Sequence, residues 1–441
     1  MSQKSQSAMI YPSEIRGGSI EVQGDKSISH RVAMLSALAS GESRVTNFLQ
    51  SEDCLNTLRA MEALGARTFF SEDGVLTIQG TGGKFLEPVK PLDLGNSGTG
   101  IRLLTGLLAG LPIAAELTGD ASLQSRPMSR IKEPLEKMGA KVELTGEKGT
   151  APIRVRGGGL KGIEYALPIA SAQVKSCILL AGLFAEGPTT VVETMPTRDH
   201  TERALQALGV PVRVKGLRVQ IDGFGQKGPA LKARTWSIPG DFSSAAYAMV
   251  AAAARPGAKV TVRNVGLNPR RTALLAVLSR MGAQIEVQTI SGASETEPRG
   301  DVTVTGTELR GTEVGGKEIP NLIDELPLVA AAGALAKGHT VIRNARELRV
   351  KESDRIASMA ANLRNLGVEV VEMEDGMDVV GPATLKATAA VQSYGDHRIA
   401  MAMTVLALHA KSEVCVSNIA CIDTSYPAFW EHMKQLGAHV E

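Results

Sequence analysis

The chain has 441 residues, of which 43% are hydrophobic and 21% are charged, so its length favours two or more globular domains. The net charge is only +2 and aromatic residues make up 3%, which argues against a nucleic-acid partner, because such binding needs strong positive charge and stacking rings. Residues 1–12 are polar and lack the apolar core of a signal peptide, and no stretch resembles a membrane span. We therefore expect a cytoplasmic protein.

The cysteines give no sign of a metal site. They are Cys54, Cys177, Cys415 and Cys421. No CxxC pair is present, and the histidines at 200 and 397 lack ligand spacing on a helix face, so free thiols and no bound metal are predicted.

Six amphipathic helices, taken in chain order, end at a Leu-Gly or Met-Gly pair. The glycines are Gly65, Gly139, Gly209, Gly282, Gly367 and Gly437. A glycine in this position predicts a left-handed helix cap, and its recurrence every 70 to 85 residues or so predicts a repeated unit. We expect a short strand after five of the six glycines, whereas the sixth unit reaches the chain end.

A second helix recurs with the same period and is apolar almost all round. The six examples start near Gly24, Gly95, Ser171, Gly240, Ile323 and Gly395. A helix without a polar face belongs inside a domain, so each unit contributes one buried helix, one amphipathic outer helix and several strands. The sequence thus predicts an α/β fold in which three units enclose their buried helices and six units make two domains.

The phase of the repeat sets the expected domain boundaries. Residues 21–238 hold three units and form an inserted domain, whereas residues 1–20 and 239–441 form the domain that contains both chain termini. We expect residues 1–20 to pair with that second domain. The stretch 291–300 is poor in apolar residues and predicts an exposed hairpin or loop.

Short polar and basic residues cluster at the starts of the buried helices. They are Lys26, Ser27, Asn96, Ser97, Ser171, Gln173, Ser243, Ser244, His397 and Arg398. Further basic residues are Arg126, Arg198, Arg270, Arg271, Lys351 and Arg355. If these helices are parallel, their N-termini meet at one face, where free amides and the helix dipoles attract anions.

Serine and asparagine at a helix start are also ordinary N-caps. Cations there are repelled by the dipole, so we interpret Lys26, Arg31, Lys351, Arg355 and Arg398 as ligands of bound anions. A nucleotide is disfavoured, because the glycine-rich stretch 95–100 is no GxxxxGK[ST] loop and lacks the strand and acid of a dinucleotide fold.

Five segments in this order resemble the family of 3-phosphoshikimate 1-carboxyvinyltransferases, or EPSP synthases. The segments are GDKSISHR (24–31), LGNSGT (94–99), LQSRPM (123–128), LRVKESDR (348–355) and DHRIAM (396–401). The resemblance covers essentially the whole chain. It implies two domains, each an inside-out α/β barrel of three βαβαββ repeats, with the substrates between the domains and closure on binding.

The resemblance also implies the activity. Such an enzyme transfers the enolpyruvyl group of phosphoenolpyruvate to the 5-hydroxyl of shikimate-3-phosphate by addition and elimination, releases phosphate and serves chorismate and aromatic amino acid biosynthesis. No cofactor or metal is implied, nor a nucleic-acid or membrane partner, and a monomer is expected. The family is the target of glyphosate, and the stretches 171–173 and 198–202 look closer to the subgroup that includes glyphosate-insensitive members.

Residue by residue, the resemblance implies two binding sets. The shikimate-3-phosphate set is Lys26, Ser27, Arg31, Ser171, Ala172, Gln173, Arg198, Asp324 and Lys351. The phosphoenolpyruvate set is Lys26, Asn96, Gly98, Arg126, Gln173, Arg355 and Arg398. We expect Asp324 to be the base for the hydroxyl, and Lys26, Glu352 and Lys351 are the candidates for the proton transfers at the vinyl carbon.

Two departures and two alternatives accompany this prediction. Thr424 stands where many relatives carry Lys, and Ala172 stands where many have Ser. A related enolpyruvyl transferase that acts on UDP-N-acetylglucosamine shares the repeat but typically has a cysteine in the loop around residues 123–130, which is absent here. A non-catalytic anion-binding repeat protein is the alternative from another class.

Overall fold

The computed structural model describes residues 7–290, 296–386 and 390–441, and these ranges contain 24 strands, 14 α-helices and three 3₁₀ helices. The strands are β1 (Ser7–Tyr11), β2 (Gly17–Glu21), β3 (Ser40–Thr46), β4 (Arg67–Phe70), β5 (Leu76–Thr81), β6 (Leu92–Asp93), β7 (Ala114–Thr118), β8 (Lys141–Leu144), β9 (Ile153–Arg156), β10 (Glu164–Ala166), β11 (Pro188–Val192), β12 (Val212–Lys215), β13 (Arg218–Asp222), β14 (Thr235–Ser237), β15 (Lys259–Gly266), β16 (Gln284–Ile290), β17 (Arg299–Thr305), β18 (Glu313–Val314), β19 (Gly338–Ile342), β20 (Glu369–Met373), β21 (Gly376–Gly381), β22 (Ala390–Gln392), β23 (Val414–Ser417) and β24 (His439–Val440). The α-helices are α1 (Lys26–Leu38), α2 (Glu52–Ala63), α3 (Gly98–Gly110), α4 (Ala121–Gln124), α5 (Ser129–Met138), α6 (Ala172–Gly182), α7 (His200–Ala207), α8 (Phe242–Ala253), α9 (Ala273–Arg280), α10 (Ile319–Leu322), α11 (Leu326–Leu335), α12 (Arg355–Asn365), α13 (His397–Ala407) and α14 (Phe429–Gln435). The 3₁₀ helices are η1 (Gly316–Glu318), η2 (Arg346–Val350) and η3 (Ile419–Thr424).

The six repeated glycines are helix caps, as predicted. Each of them has a φ between +80° and +110°. This left-handed conformation costs glycine little and lets the chain reverse into the next strand. The expectation that the sixth unit ends without a strand was wrong, because β24 follows Gly437 and pairs with β1 near the N-terminus, with Ile10 opposite Val440.

All six sheets have four strands and the same pattern, namely one parallel pair at an edge followed by two antiparallel pairs. The orders are β14-β3-β5-β4, β6-β7-β9-β8, β10-β11-β13-β12, β2-β15-β17-β16, β18-β19-β21-β20 and β22-β23-β1-β24. In the last sheet, β1 occupies the place that a strand after β24 would fill. β1 pairs with β23 and β2 pairs with β15, so the N-terminal segment adds one strand to each of these two sheets.

The chain divides into two compact units. We call residues 24–238 the inserted unit, and residues 239–441 together with the N-terminal segment as far as Gln23 the terminal unit. Each unit has its own hydrophobic core. Three apolar helices form the centre of each core, α1, α3 and α6 in the inserted unit and α8, α11 and α13 in the terminal unit, which confirms the buried repeat.

The buried helices pack closely because their facing residues are small. A Cβ atom added to Gly106 of α3 would lie 2.3 Å from the Cys177 carbonyl oxygen of α6, so only glycine allows this approach. Such packing explains why the chain is rich in alanine and glycine and poor in rings.

The prediction of an exposed hairpin or loop at 291–300 was right about the hairpin, because β16 and β17 pair antiparallel with Ile290 opposite Arg299, but it was wrong about the exposure of residues 296–300. Residues 291–295 of the expected exposed loop lie outside the described residues, but Arg299 and Gly300 already belong to β17. Glu297 is buried and its carboxylate accepts a hydrogen bond of 3.0 Å from Asn268 Nδ2, so polarity here reflects an internal bond and a paired strand. In the described ranges, no helix is long and apolar enough to cross a membrane.

Candidate active site

In the inserted unit, the first turns of the three buried helices touch one another. Gln173 of α6 donates to the Thr99 hydroxyl of α3 at 3.0 Å, and the Ser97 hydroxyl lies 3.2 Å from His30 Nε2 of α1. The caps Asp25, Ser97 and Ser171 each accept an amide hydrogen bond from the first turn of their own helix. The helix N-termini therefore lie together, as the repeat predicted, and their dipoles favour an anion at this end.

Lys26 begins α1, and its ammonium already has an internal partner. The Nζ atom lies 2.5 Å from Asp53 Oδ2 of α2, and the lysine side chain keeps 17% exposure. Our interpretation that a cation at this helix end requires a bound anion was thus too narrow. A buried carboxylate offsets part of the dipole repulsion, and the exposed fraction leaves the ammonium within reach of a ligand.

Arg31 lies one turn further along α1 and is almost fully buried. Its guanidinium donates to the hydroxyls of Thr201 and Ser176 at 2.7 Å each, and to the Ser27 carbonyl at 2.8 Å. These uncharged oxygen atoms stabilise the buried guanidinium, so its burial does not require a bound anion. The geometry joins α1 to α6 and α7, and the role of Arg31 in substrate binding stays a prediction.

Three residues of the predicted phosphoenolpyruvate set adjoin one another at the start of α3. Arg126 donates to the Asn96 side-chain oxygen, and Asn96 donates in turn to Asp120 Oδ2 at 2.8 Å. Gly98 is the first residue of α3, and a Cβ atom there would lie only 3.0 Å from Arg126 Nη1. The absence of a side chain at Gly98 is what lets the guanidinium approach the helix N-terminus.

Arg102 belongs to the same group, and sequence reasoning missed it. It is 6% exposed, donates to Gln173 Oε1 and reaches the Pro127 carbonyl at 3.2 Å. Its Nη1 lies 3.2 Å from the place of a Cβ atom on Gly98. A charged residue inside an otherwise apolar helix was the available signal, since a buried arginine must be bonded on all sides.

The remaining predicted residues of the inserted unit lie at the starts of two helices. Ser171 is the N-cap of α6, where it accepts from the Val174 amide at 3.3 Å, and Ala172 is the first residue of that helix. Arg198 is half-buried and lies two residues before α7.

The terminal unit likewise brings the N-termini of its three buried helices together. Arg398 of α13 donates to the Ser243 hydroxyl of α8 and to the Asp324 carbonyl, both at 3.0 Å. The Ser243 hydroxyl donates to Glu325, the fully buried residue that precedes α11. Burial works against the charge of Arg398, but Asp324, Tyr247 and Glu325 together outweigh it and raise the arginine pKa.

Arg355 is the centre of this group and is 1% exposed. It donates to Asp396 Oδ2 at 2.8 Å, to Glu352 Oε2 at 2.6 Å and to Asp324 Oδ1 at 3.3 Å. Burial opposes its charge, yet the three carboxylates raise its pKa above the usual range of arginine. The carboxylates stabilise this cation at a helix start, and its binding of an anion stays a prediction.

Asp324 is held by the guanidiniums of Arg355 and Arg398, and that of Arg271 lies 4.0 Å from its Oδ2 atom. Its Oδ1 atom lies 3.4 Å from Arg398 Nε as well as 3.3 Å from Arg355 Nη1, and its side chain is 17% exposed. A carboxylate at the start of a buried helix is therefore satisfied by charge pairing and still open on one side.

Lys351 lies between η2 and α12 and is half-buried. Loss of hydration lowers its pKa below the usual 10.5, although the nearby carboxylates of Glu347 and Asp324 oppose the shift. An ammonium with a lowered pKa gives up its proton more readily than a free lysine does.

Three carboxyl and guanidinium partners of the terminal unit were not predicted. Arg271 was noted only as basic, but it is buried and lies 3.1 Å from Glu325 Oε1. Glu325 follows Asp324, and Asp396 lies two residues before Arg398. The sequence gives no sign of which helix start each of these carboxylates contacts. The two carboxylates neutralise the arginines that face the helix N-termini.

A groove of about 830 Å³ on the outer side of the inserted unit contains none of the predicted residues. It is lined by residues 88–91 and by parts of β7, β8 and β9, and its two central carboxylates are paired with Arg154.

Two units of three repeats each, built around buried helices, are the fold of an enolpyruvyl transferase. The family model for EPSP synthase (3-phosphoshikimate 1-carboxyvinyltransferase) matches residues 11–433. This match shows that the chain belongs to the EPSP synthase family. It is a transferase that moves the enolpyruvyl group of phosphoenolpyruvate to shikimate-3-phosphate in aromatic amino acid biosynthesis, as the resemblance predicted.

Individual relatives agree with this assignment. The 3-phosphoshikimate 1-carboxyvinyltransferase of Akkermansia muciniphila is 53% identical over 427 residues, which cover 95% of this chain and 97% of that protein. The enzyme of Desulforamulus reducens is 48% identical and covers 97% and 99%. The EPSP synthase structure from Acinetobacter baumannii superposes with a TM-score of 0.85 at 41% identity, over 99% of this chain and 100% of that one. The enolpyruvyl transferase NikO from Streptomyces tendae, at 19% identity and a TM-score of 0.78 over 99% and 98%, shares the fold.

Proposed function

We propose that phosphoenolpyruvate is bound by the set named from the sequence. Its members are Lys26, Asn96, Gly98, Arg126, Gln173, Arg355 and Arg398. Planar guanidiniums match the phosphate and carboxylate oxygens two at a time, which a lysine cannot do. The contact of Arg126 with Asn96, beside the amide end of α3, supports this assignment in the inserted unit.

Shikimate-3-phosphate is assigned to the second set. Its members are Lys26, Ser27, Arg31, Ser171, Ala172, Gln173, Arg198, Asp324 and Lys351. The amide end of α6 with its Ser171 cap suits a phosphate, and the basic side chain of Arg198 follows it along the chain. Alanine at 172 offers the phosphate a backbone amide but no hydroxyl, so the neighbouring groups must supply the remaining hydrogen bonds.

Asp324 is assigned as the base that receives the proton of the attacking 5-hydroxyl. The oxygen bonds to C2 of phosphoenolpyruvate while C3 gains a proton, and the tetrahedral adduct then loses phosphate from C2 and a proton from C3. The observation that carries this assignment is the paired but partly open carboxylate of Asp324 between Arg355 and Arg398. The two cations hold the side chain in one orientation, with one oxygen side open to a substrate hydroxyl.

The transfers at C3 need an acid and then a base, and three residues are the candidates. Lys351 has a lowered pKa, which suits a donor. Glu352 is bound to Arg355 at 2.6 Å, which suits a carboxylate that acts as a base. Lys26 is bound to Asp53, which fixes the position of its ammonium.

The proposal includes a monomer that works in the cytoplasm. All the assigned residues come from one chain, which supports a monomer, and light scattering would test it. The four cysteines are free thiols, as a reducing compartment requires.

The experiment that tests the assignment of the base compares Asp324→Asn with the wild-type enzyme in a phosphate-release assay. We expect kcat to fall by about 10³-fold or more, because an amide keeps the shape but accepts no proton. Binding of shikimate-3-phosphate, measured by calorimetry, should change far less. Asp378→Asn is the matched control, since Asp378 pairs with His339 on a sheet of the same unit.

A variant that keeps more than a tenth of the wild-type kcat would refute the role of Asp324 as the base. Loss of binding with unchanged kcat at saturation would reassign the residue to substrate holding. Running UDP-N-acetylglucosamine beside shikimate-3-phosphate tests the acceptor in the same assay, and turnover only with shikimate-3-phosphate is expected.

A further inference from the structure

The most deeply buried charge of the inserted unit lies outside both binding sets. Lys175 of α6 is 0% exposed, and its Nζ atom lies 2.7 Å from Glu202 Oε1 and 3.0 Å from Glu193 Oε1. It also donates to the Thr197 carbonyl at 3.4 Å. Burying an ammonium among two carboxylates and a carbonyl costs desolvation energy. An apolar residue of similar volume would often give a core of equal or greater stability.

These contacts join two segments that carry predicted substrate ligands. Lys175 lies one turn after Ser171, and its backbone amide donates to the Ser171 carbonyl at 3.0 Å. Its side chain holds the loop of residues 193–199, which contains Arg198 and runs from β11 to α7. The lysine therefore connects the capped start of α6 to the loop with the arginine.

The loop itself is closed by Glu193. One oxygen of this carboxylate accepts from the Thr197 amide at 3.0 Å and from the Thr197 hydroxyl, and the same oxygen pairs with Lys175. The ammonium thus fixes both ends of the Glu193–Thr197 bridge, at its carboxylate and at the Thr197 carbonyl. Arg198 follows directly, so the backbone from which its side chain leaves is set by Lys175.

Glu202 extends the connection into α7. Its neighbour Thr201 accepts from Arg31 and donates to Ser176 at 2.7 Å each, so α1, α6 and α7 are bonded around the same point. The local charges of Lys175 and Arg31 together balance those of Glu193 and Glu202. All four side chains are buried, which gives the assembly little freedom to rearrange.

We infer that Lys175 is a positioning residue for shikimate-3-phosphate, which orients Arg198 relative to the start of α6 through Glu193, Thr197 and Glu202. It touches no substrate. This inference rests on the proposed assignment of Arg198 and Ser171 to that substrate.

The test measures KM for each substrate separately in Lys175→Met, Lys175→Arg and the double variant Lys175→Gln with Glu202→Gln. The double variant removes one charge of each sign, so it keeps the local charge balance if the single variant fails to fold. We expect KM for shikimate-3-phosphate to rise about tenfold in Lys175→Met and in the double variant, because small displacements of a ligand away from the reaction are costly. KM for phosphoenolpyruvate should change less than about twofold, and Lys175→Arg should recover part of the loss.

A control separates positioning from general destabilisation. Leu179 lies one turn further along α6 and is fully buried in the core, so Leu179→Ala loosens the same helix without touching the loop. Faster amide hydrogen exchange at Thr197 is expected in the Lys175 variants and not in Leu179→Ala. If Leu179→Ala and Lys175→Met lower the Tm equally and also raise KM for shikimate-3-phosphate equally, the inference is overturned.

Arg198→Met distinguishes the inference from the assignment beneath it. A raised KM for shikimate-3-phosphate in Arg198→Met with an unchanged one in the Lys175 variants would overturn the inference alone. An unchanged KM in Arg198→Met would refute the assignment of Arg198, whatever the Lys175 variants do.

Discussion

Replacing Gly98 by alanine tests how closely the guanidiniums must approach α3. The new Cβ atom would lie 3.0 Å from Arg126 Nη1 and 3.2 Å from Arg102 Nη1, closer than ordinary van der Waals contact. Both neighbours are the far ends of long side chains, so the arginines recede by a few tenths of an ångström and the backbone stays. Gly98 has no positive φ, and alanine is the better helix former by up to about 1 kcal/mol, so we expect no loss of Tm.

The substitution weakens binding of the anion instead. One charge-assisted hydrogen bond contributes about 1.5–3 kcal/mol, so losing one from the displaced Arg126 should raise KM for phosphoenolpyruvate about 10- to 100-fold. KM for shikimate-3-phosphate should change less, because Arg198 and the Ser171 cap do not contact the new Cβ atom and the link to that set runs through Arg102, which donates to Gln173. Steady-state phosphate release, with each substrate varied in turn, measures the two constants.

Gly315→Ala is the matched control, since its Cβ atom would meet nothing closer than 3.5 Å. An unchanged KM for phosphoenolpyruvate in Gly98→Ala, or an equal rise for both substrates, would refute the placement of Gly98 and Arg126 at this anion.

Two further predictions concern pH. The pKa of Lys351 is lowered, so its ammonium loses its proton as the pH rises, before pH 10.5 is reached. We therefore expect kcat/KM for shikimate-3-phosphate to fall at alkaline pH, and Lys351→Arg should move that fall to higher pH while Lys317→Arg leaves it in place. An identical alkaline profile in Lys351→Arg would contradict the role of this ammonium. Burial and the nearby Lys26 and Arg31 hold the pKa of His30 well below 6.5. Below pH 6.5 the unfolded chain therefore binds a proton that the folded chain does not. The free energy of unfolding should decrease by about 1.4 kcal/mol for each unit by which the pH is lowered. Urea titrations at several pH values measure this slope. It should be shallower for His30→Gln than for the wild type and for the exposed-histidine control His339→Gln, and equal slopes would show that His30 is not the group responsible.

The repeat explains how much of the fold could be predicted from sequence. A glycine cap and an all-apolar helix are local patterns, since left-handed φ and burial each leave a mark within about ten residues. The six caps and the six buried helices were therefore predicted correctly. The strand after Gly437 was not, because it exists only through its pairing with β1 at the other end of the chain.

The sequence by itself determined the family and the reaction, because the motifs at the helix starts are short contiguous segments. Only the tertiary structure decided which charges meet. Arg31 bonds to Thr201 across 170 positions, and Arg398 bonds to Ser243 across 155. It also decided that Lys26 is paired with Asp53, Arg355 with Asp396 and Arg398 with Asp324, since the free energy of a buried cation depends on partners from other elements of the chain that no local pattern encodes.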